Sequence, residues 1–63
     1  MKRQLSEQEV SGMSLNERLY LSGLLDDFDK AITQQNAEEL KHILERVYIS
    51  FEDIDFIIKQ LLK

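Results

Sequence analysis

Residues 36–62 read NAEELKHILERVYISFEDIDFIIKQLL, and this stretch carries one apolar pattern twice. Leu40 corresponds to Ile54, and Leu44 corresponds to Ile58, each fourteen residues later. Within each copy the apolar residues follow one another at three or four positions, which is the spacing of one side of an α-helix rather than the alternation of a strand. The pattern predicts two short amphipathic helices, one over residues 37 to 47 or 48 and one over residues 51–62.

Helix starts are marked by their capping residues. A Ser or Asn side chain accepts a hydrogen bond from the third residue of the helix, whose acidic side chain can bond back. Three such pairs precede apolar runs: Ser14 with Glu17, Asn36 with Glu39, and Ser50 with Asp53.

The first of these pairs introduces a longer helix, predicted over residues 15–34. Leu15 and Leu19 fall on its polar side, one turn apart. Gly23 lies on the same side, where it costs roughly 1 kcal/mol relative to Ala and would let a neighbour approach the backbone. The apolar stripe consists of Tyr20, Leu21, Leu24, Leu25, Phe28, Ala31 and Ile32.

The predicted fold is all-α: a small three-helix bundle, with the long first helix packed on the hairpin of the two short helices. Residues 14–63 form this domain. Residues 1–13 lack sustained periodicity and are expected to be a flexible N-terminal arm, with at most a fleeting turn capped by Ser6 and Glu9. The expected core consists of Leu24, Leu25, Phe28, Ile32, Leu40, Ile43, Leu44, Val47, Ile54, Ile57, Ile58 and Leu61.

Length and charge narrow the function classes. A chain of 63 residues without Cys has a marginal core, no disulfide and no thiolate zinc site. Its net charge of −4 opposes phosphate backbones and anionic lipids, so neither a nucleic acid nor a membrane is an expected partner. No apolar run approaches the ~20 residues of a membrane span, and the N-terminus lacks a secretory signal pattern. We therefore expect a cytoplasmic protein.

Candidate chemistry is sparse. Asp26, Asp27 and Asp29 lie within a helix without the Gly of a calcium loop, which favours a solvated helix side over an acidic docking patch or a metal site. The single His42 shares the polar side of the second helix with carboxylates and has no nucleophile nearby. A helix-turn-helix is disfavoured because the third helix presents mostly acidic side chains. No catalytic, cofactor-binding or metal-binding residue is predicted, and the chain is not expected to be an enzyme.

Three apolar residues outside the stripes form the candidate interaction surface: Leu15, Leu19 and Phe56. Phe56 cannot join Ile54 and its neighbours without breaking the helical period, so it is expected to be exposed. The alternative interpretation is that the N-terminal arm covers Leu15 and Leu19, and that Phe56 is a partly shielded aromatic.

Residues 16–31, NERLYLSGLLDDFDKA, are followed by a charged helix and by Ser50 four residues before Ile54. This succession resembles short bacterial all-helical proteins to which no activity is attached. The resemblance implies a bacterial, cytoplasmic, all-helical protein and assigns no functional residue.

These observations predict a small non-enzymatic protein-interaction module or regulator whose partner is not identified. The alternative is a self-associating, homo-oligomeric structural subunit, and a nucleic-acid binder is the less favoured third class.

Overall fold

The computed structural model describes residues 3–62, which form helices and links without a strand. The all-α prediction is confirmed, but the described residues contain five helices rather than three. In chain order they are α1 (Glu7–Val10), α2 (Leu15–Ser22), α3 (Leu25–Thr33), α4 (Ala37–Arg46) and α5 (Phe51–Leu61).

The predicted N-caps are confirmed. The Ser14 hydroxyl accepts the amide of the third residue of α2, and the Glu17 carboxylate accepts the Ser14 amide in return. The Asn36 side chain caps α4 at 3.1 Å and the Ser50 hydroxyl caps α5 at 3.3 Å. Each cap satisfies amides that have no partner within the helix.

The continuous helix predicted over residues 15–34 is wrong, because the chain breaks at Gly23. Gly23 has a φ of 74°, a left-handed conformation that is unstrained only in glycine. Its amide donates to Tyr20 O (3.1 Å), and the amide of Leu24 donates to Leu19 O (2.9 Å). This is the Schellman closure of a helix end, so α2 and α3 are separate elements with separate orientations.

The ends of α3 and α4 close in the same way without a glycine. Gln35 and Tyr48 have φ values of 52° and 63°. The amide after Gln35 donates to Ala31 O (2.9 Å), and the amide of Ile49 donates to Leu44 O (3.1 Å). Both links are therefore tight, and a new capped helix starts at once after each.

The flexible arm predicted for residues 1–13 is also corrected, as far as it is described. The turn capped by Ser6 and Glu9 forms as α1, and Leu5 and Val10 are buried. The segment is tied to the helical body, since the amide of Arg3 donates to the backbone oxygen of Ser22 at 2.7 Å. The predicted flexibility of residues 1 and 2 lies outside the described residues.

The core follows most of the predicted list. The buried cluster contains Leu19, Leu24, Phe28, Ala31, Leu40, Ile43, Leu44, Val47 and Ile54. Leu25, Ile32, Ile57 and Ile58 pack against it while half-buried. Leu61 is exposed, which corrects its assignment to the core, and Leu19 belongs to the core although the helical wheel placed it on the polar side.

No helix within residues 3–62 is long and apolar enough to cross a membrane.

Candidate interaction surface

Helix α5 is rich in apolar residues and poorly covered. Six of its eleven residues are apolar: Phe51, Ile54, Phe56, Ile57, Ile58 and Leu61. Only Ile54 among them is buried. The helix packs mainly against α4, so a large part of its apolar surface has no neighbour within the described residues.

The inner side of α5 is covered at one end only. Leu61 follows Ile54 by seven residues, which brings it to within about 20° of the same direction. Ile54 is 3% exposed, yet Leu61 is 37% exposed. The core therefore covers the first half of the inner side fully and the last turn only in part.

Phe56 lies on the outer side of α5. Two helical steps after Ile54 turn it through about 200°, and the ring is 63% exposed. The predicted exposure of Phe56 is confirmed. Its neighbours one turn away are exposed and polar: Glu52, Asp53, Lys59 and Gln60.

Phe51, the first residue of α5, is 70% exposed. The ammonium of Lys41 on α4 lies 5.6 Å from the ring centroid, within the range of a cation–π contact. Lys41 and Phe51 line a shallow groove of about 200 Å³ together with residues of α5. This volume is below the ~300–1,000 Å³ typical of small-molecule sites, so the groove is better suited to contact with a side chain of another protein.

Leu15 and Leu19 do not form the predicted surface. Leu19 is fully buried in the core, and Leu15 is half-buried against it. The break at Gly23 is the reason: α2 is oriented independently of α3, so its inner side is the one that carries Leu19. Tyr20 and Leu21, which helical periodicity assigns to the apolar stripe, are exposed instead.

The residues that sequence reasoning missed at the surface are Phe51 and Leu61. Both belong to the apolar stripe of α5, and their exposure depends on where the neighbouring helix ends. The one indication of their exposure in the sequence is that the two residues occupy the first and last turns of the helix.

Ionisable groups do not assemble into a chemical site. Within residues 3–62, no group of three or more His, Cys, Asp or Glu could hold a metal ion. His42 is exposed beside Gln4, Glu45 and Tyr48 on an open surface. Asp26 and Asp29 lie on the exposed side of α3.

Glu9 has a structural role. The Ser6 amide donates to its carboxylate at 3.0 Å, and this bond is the largest influence lowering the pKa of Glu9 below its ordinary value. Desolvation opposes the shift, and the guanidinium of Arg3, which pairs with Glu9, adds to it. The charged carboxylate thus stabilises the turn that holds the N-terminal segment.

No family model matches this chain, and no curated protein or solved structure matches it.

Proposed function

We propose that the chain is a small non-enzymatic protein-interaction module that docks through α5. The docking surface, called the α5 surface below, is the exposed part of this helix: Phe56 on its outer side, and Phe51 and Leu61 at the two ends of its apolar stripe. The observation that supports it is the concentration of exposed apolar side chains on one helix. In residues 3–62 the large exposed apolar residues are Tyr20, Leu21, Tyr48, Phe51, Phe56 and Leu61, and half of them lie on α5.

Single exposed apolar residues are normal on a protein surface, so α5 is distinguished by carrying three of them on one short helix and by their type. Two of the three residues are phenylalanines, and aromatic side chains are enriched among the residues that contribute most to binding. Because α5 packs on α4 through one side only, a partner can cover its outer side without any unfolding of the protein. These properties favour α5 over α2 as the docking helix.

The charge around the α5 surface favours a protein partner. Glu52, Asp53 and Asp55 are exposed on the first two turns, where a DNA-recognition helix would present basic or amide side chains to base edges. The same carboxylates oppose an anionic lipid surface. We expect the module to act in the cytoplasm as a regulator or adaptor rather than as a nucleic-acid or membrane binder.

The test is site-specific crosslinking in the bacterial cytoplasm. A photo-reactive phenylalanine analogue replaces Phe56 in one variant and His42 in the other, because both residues are exposed but His42 lies on the polar side of α4. We expect protein adducts at position 56 that are absent at position 42. Equal adducts at both positions, or none at either, would contradict docking through α5.

A further inference from the structure

We propose that the outer side of α5, centred on Phe56, recognises a second copy of the same chain, as an antiparallel pair of α5 helices related by a two-fold axis at the level of Phe56. This inference rests on the proposed function and names its partner. Phe56 is the middle residue of α5, Phe51–Leu61. A two-fold axis at the centre of a helix brings the same residue of both copies together, so the exposed ring would pack on its equivalent.

The polar residues around Phe56 are sorted by charge along the helix. Glu52 and Lys59 lie on one flank of the ring, about 40° and 60° from it, toward opposite ends of the helix. Asp53 and Gln60 lie on the other flank in the same manner. The acidic residues are on the N-terminal side of Phe56, and the basic and amide residues are on the C-terminal side.

This arrangement is self-complementary when one helix is reversed. The two-fold rotation keeps each flank on its own side and exchanges the ends of the helix. Glu52 of each copy then faces Lys59 of the other, and Asp53 faces Gln60, so the contact includes two ion pairs and two carboxylate–amide pairs. A two-fold parallel pair would instead keep the ends and exchange the flanks, which places Glu52 of each copy beside Asp53 of the other, acid against acid. Charge complementarity therefore selects the antiparallel isologous pair.

The side chains are free to make these contacts. Phe56 points away from Ile54 and hence from α4, so the body of the protein does not obstruct a second helix. Lys59 pairs with Asp55 on the surface at 2.9 Å, yet its side chain remains 73% exposed and retains donors for a second carboxylate. Aromatic rings stacked or edge-to-face at the axis would add to the apolar contact.

The expected dimer is weak. Two three-turn helices bury an area at the low end of specific interfaces, about 1,200 Å² or less, and the rim charges are screened by salt. The dimer should therefore be transient and should dissociate on dilution. Its association rate should be higher at low ionic strength.

The experiment is sedimentation equilibrium of the full chain from about 10 μM to about 1 mM, with thermal melting of each variant as the folding control. The parent should shift toward the mass of a dimer as concentration rises. Phe56→Ser should weaken association about tenfold or more while melting like the parent. A chain that stays monomeric to about 1 mM, or a dimer that does not respond to Phe56→Ser, would overturn the inference.

Charge exchange tests the geometry itself. Glu52→Lys and Lys59→Glu should each weaken self-association several-fold, because each places like charges opposite one another. An equimolar mixture of the two variants should associate at least as well as the parent, since only the mixed pair has complementary flanks. Glu45→Lys, the same charge change on the exposed side of α4, should leave association unchanged. A mixture no stronger than the single variants would reject the antiparallel pairing.

The crosslinking experiment separates this inference from the broader proposal. Adducts at position 56 to other proteins, combined with a monomeric parent, would support docking through α5 and reject the second copy as its occupant. Adducts consisting only of chain dimers would support the second copy and make the protein a self-associating subunit.

Discussion

Leu19 and Leu24 meet across the end of α2. The amide of Leu24 donates to the carbonyl of Leu19 at 2.9 Å, and both side chains are buried in the core. Gly23 directly follows α2 and precedes Leu24, and its backbone is left-handed. This hydrogen bond and the burial of both leucines turn the chain from α2 into α3 and determine which side of α2 the core covers.

Gly23→Ala should destabilise the protein. An alanine held in the left-handed region costs roughly 1–2 kcal/mol, a cost that glycine does not incur at this turn. Gln35→Gly is the matched opposite, because Gln35 is exposed and adopts the same region; it should stabilise by up to about 1 kcal/mol. Urea unfolding followed by circular dichroism measures both free energies of unfolding. Equal effects of the same sign would show that the left-handed turns are not what limits stability.

Leu19→Ala should be far more harmful than Leu21→Ala, although the two residues are close neighbours on α2. Removing a fully buried Leu side chain costs about 2–5 kcal/mol, which is comparable to the whole stability of a domain of this size. Leu21 is 45% exposed, and its truncation should cost much less. Thermal melting of both variants distinguishes this structure from an uninterrupted first helix, for which the order would be reversed.

Leu5→Ala tests whether the N-terminal segment belongs to the folded unit. Leu5 is 1% exposed, so its truncation should lower the free energy of unfolding by about 2 kcal/mol or more. Gln8→Ala, on the exposed side of α1, is the control and should have little effect. If both variants unfold at the urea concentration of the parent, residues 3–13 are a mobile arm after all.

The charge of Glu9 should make this segment sensitive to acid. The pKa of Glu9 is lowered in the folded protein, chiefly by the hydrogen bond from the Ser6 amide. Its contribution is therefore complete above the unfolded-state pKa and is lost as the pH falls through the lower folded-state pKa. The difference in stability between the parent and Glu9→Gln should be larger at neutral pH than at an acid pH below the folded-state pKa of Glu9. Urea unfolding at both pH values measures it, and a constant difference would exclude a role for the carboxylate charge.

Metals and nucleotides should not stabilise the protein if it is not an enzyme. A ligand that binds only the folded state at 100 times its Kd adds about 2.7 kcal/mol, which would shift the melting temperature by many degrees in a domain this small. Thermal melting with divalent cations and nucleoside triphosphates is the measurement. A clear upward shift with any of them would revive the enzyme class.

The helix starts and the exposure of Phe56 were predictable because they depend on residues at most four positions apart. Ser14, Asn36 and Ser50 bond to amides three residues later, and these bonds involve no residue outside the first turn of the helix. Phe56 is set opposite Ile54 by the helical period alone. Residues within one turn carry no information about which neighbouring element will cover a given side of the helix.

The sequence around Gly23 contains an indication of a helix end that helical periodicity does not detect. Leucines at positions 19 and 24 bracket a glycine at the spacing of a Schellman closure, but one long amphipathic helix accounts for most of the same residues. The burial of Leu19 decides between them, and it is possible because the short α2 has its own orientation. The free energy gained by burying this side chain exceeds the ~1 kcal/mol that separates Gly from Ala in a helix.

By itself the sequence determined the all-helical class, the N-caps, the boundaries of α4 and α5 and the outward position of Phe56, since each follows from hydrogen bonds and periodicity within a helix. Only the tertiary structure decided that Leu5 and Leu19 are buried and that Leu61 is not. Those outcomes depend on contacts between elements that are distant in the chain, such as the bond from Gln4 to the backbone oxygen of Arg46, and on how far α4 extends along α5. Burial is a property of two surfaces, and the sequence of one helix specifies only one of them.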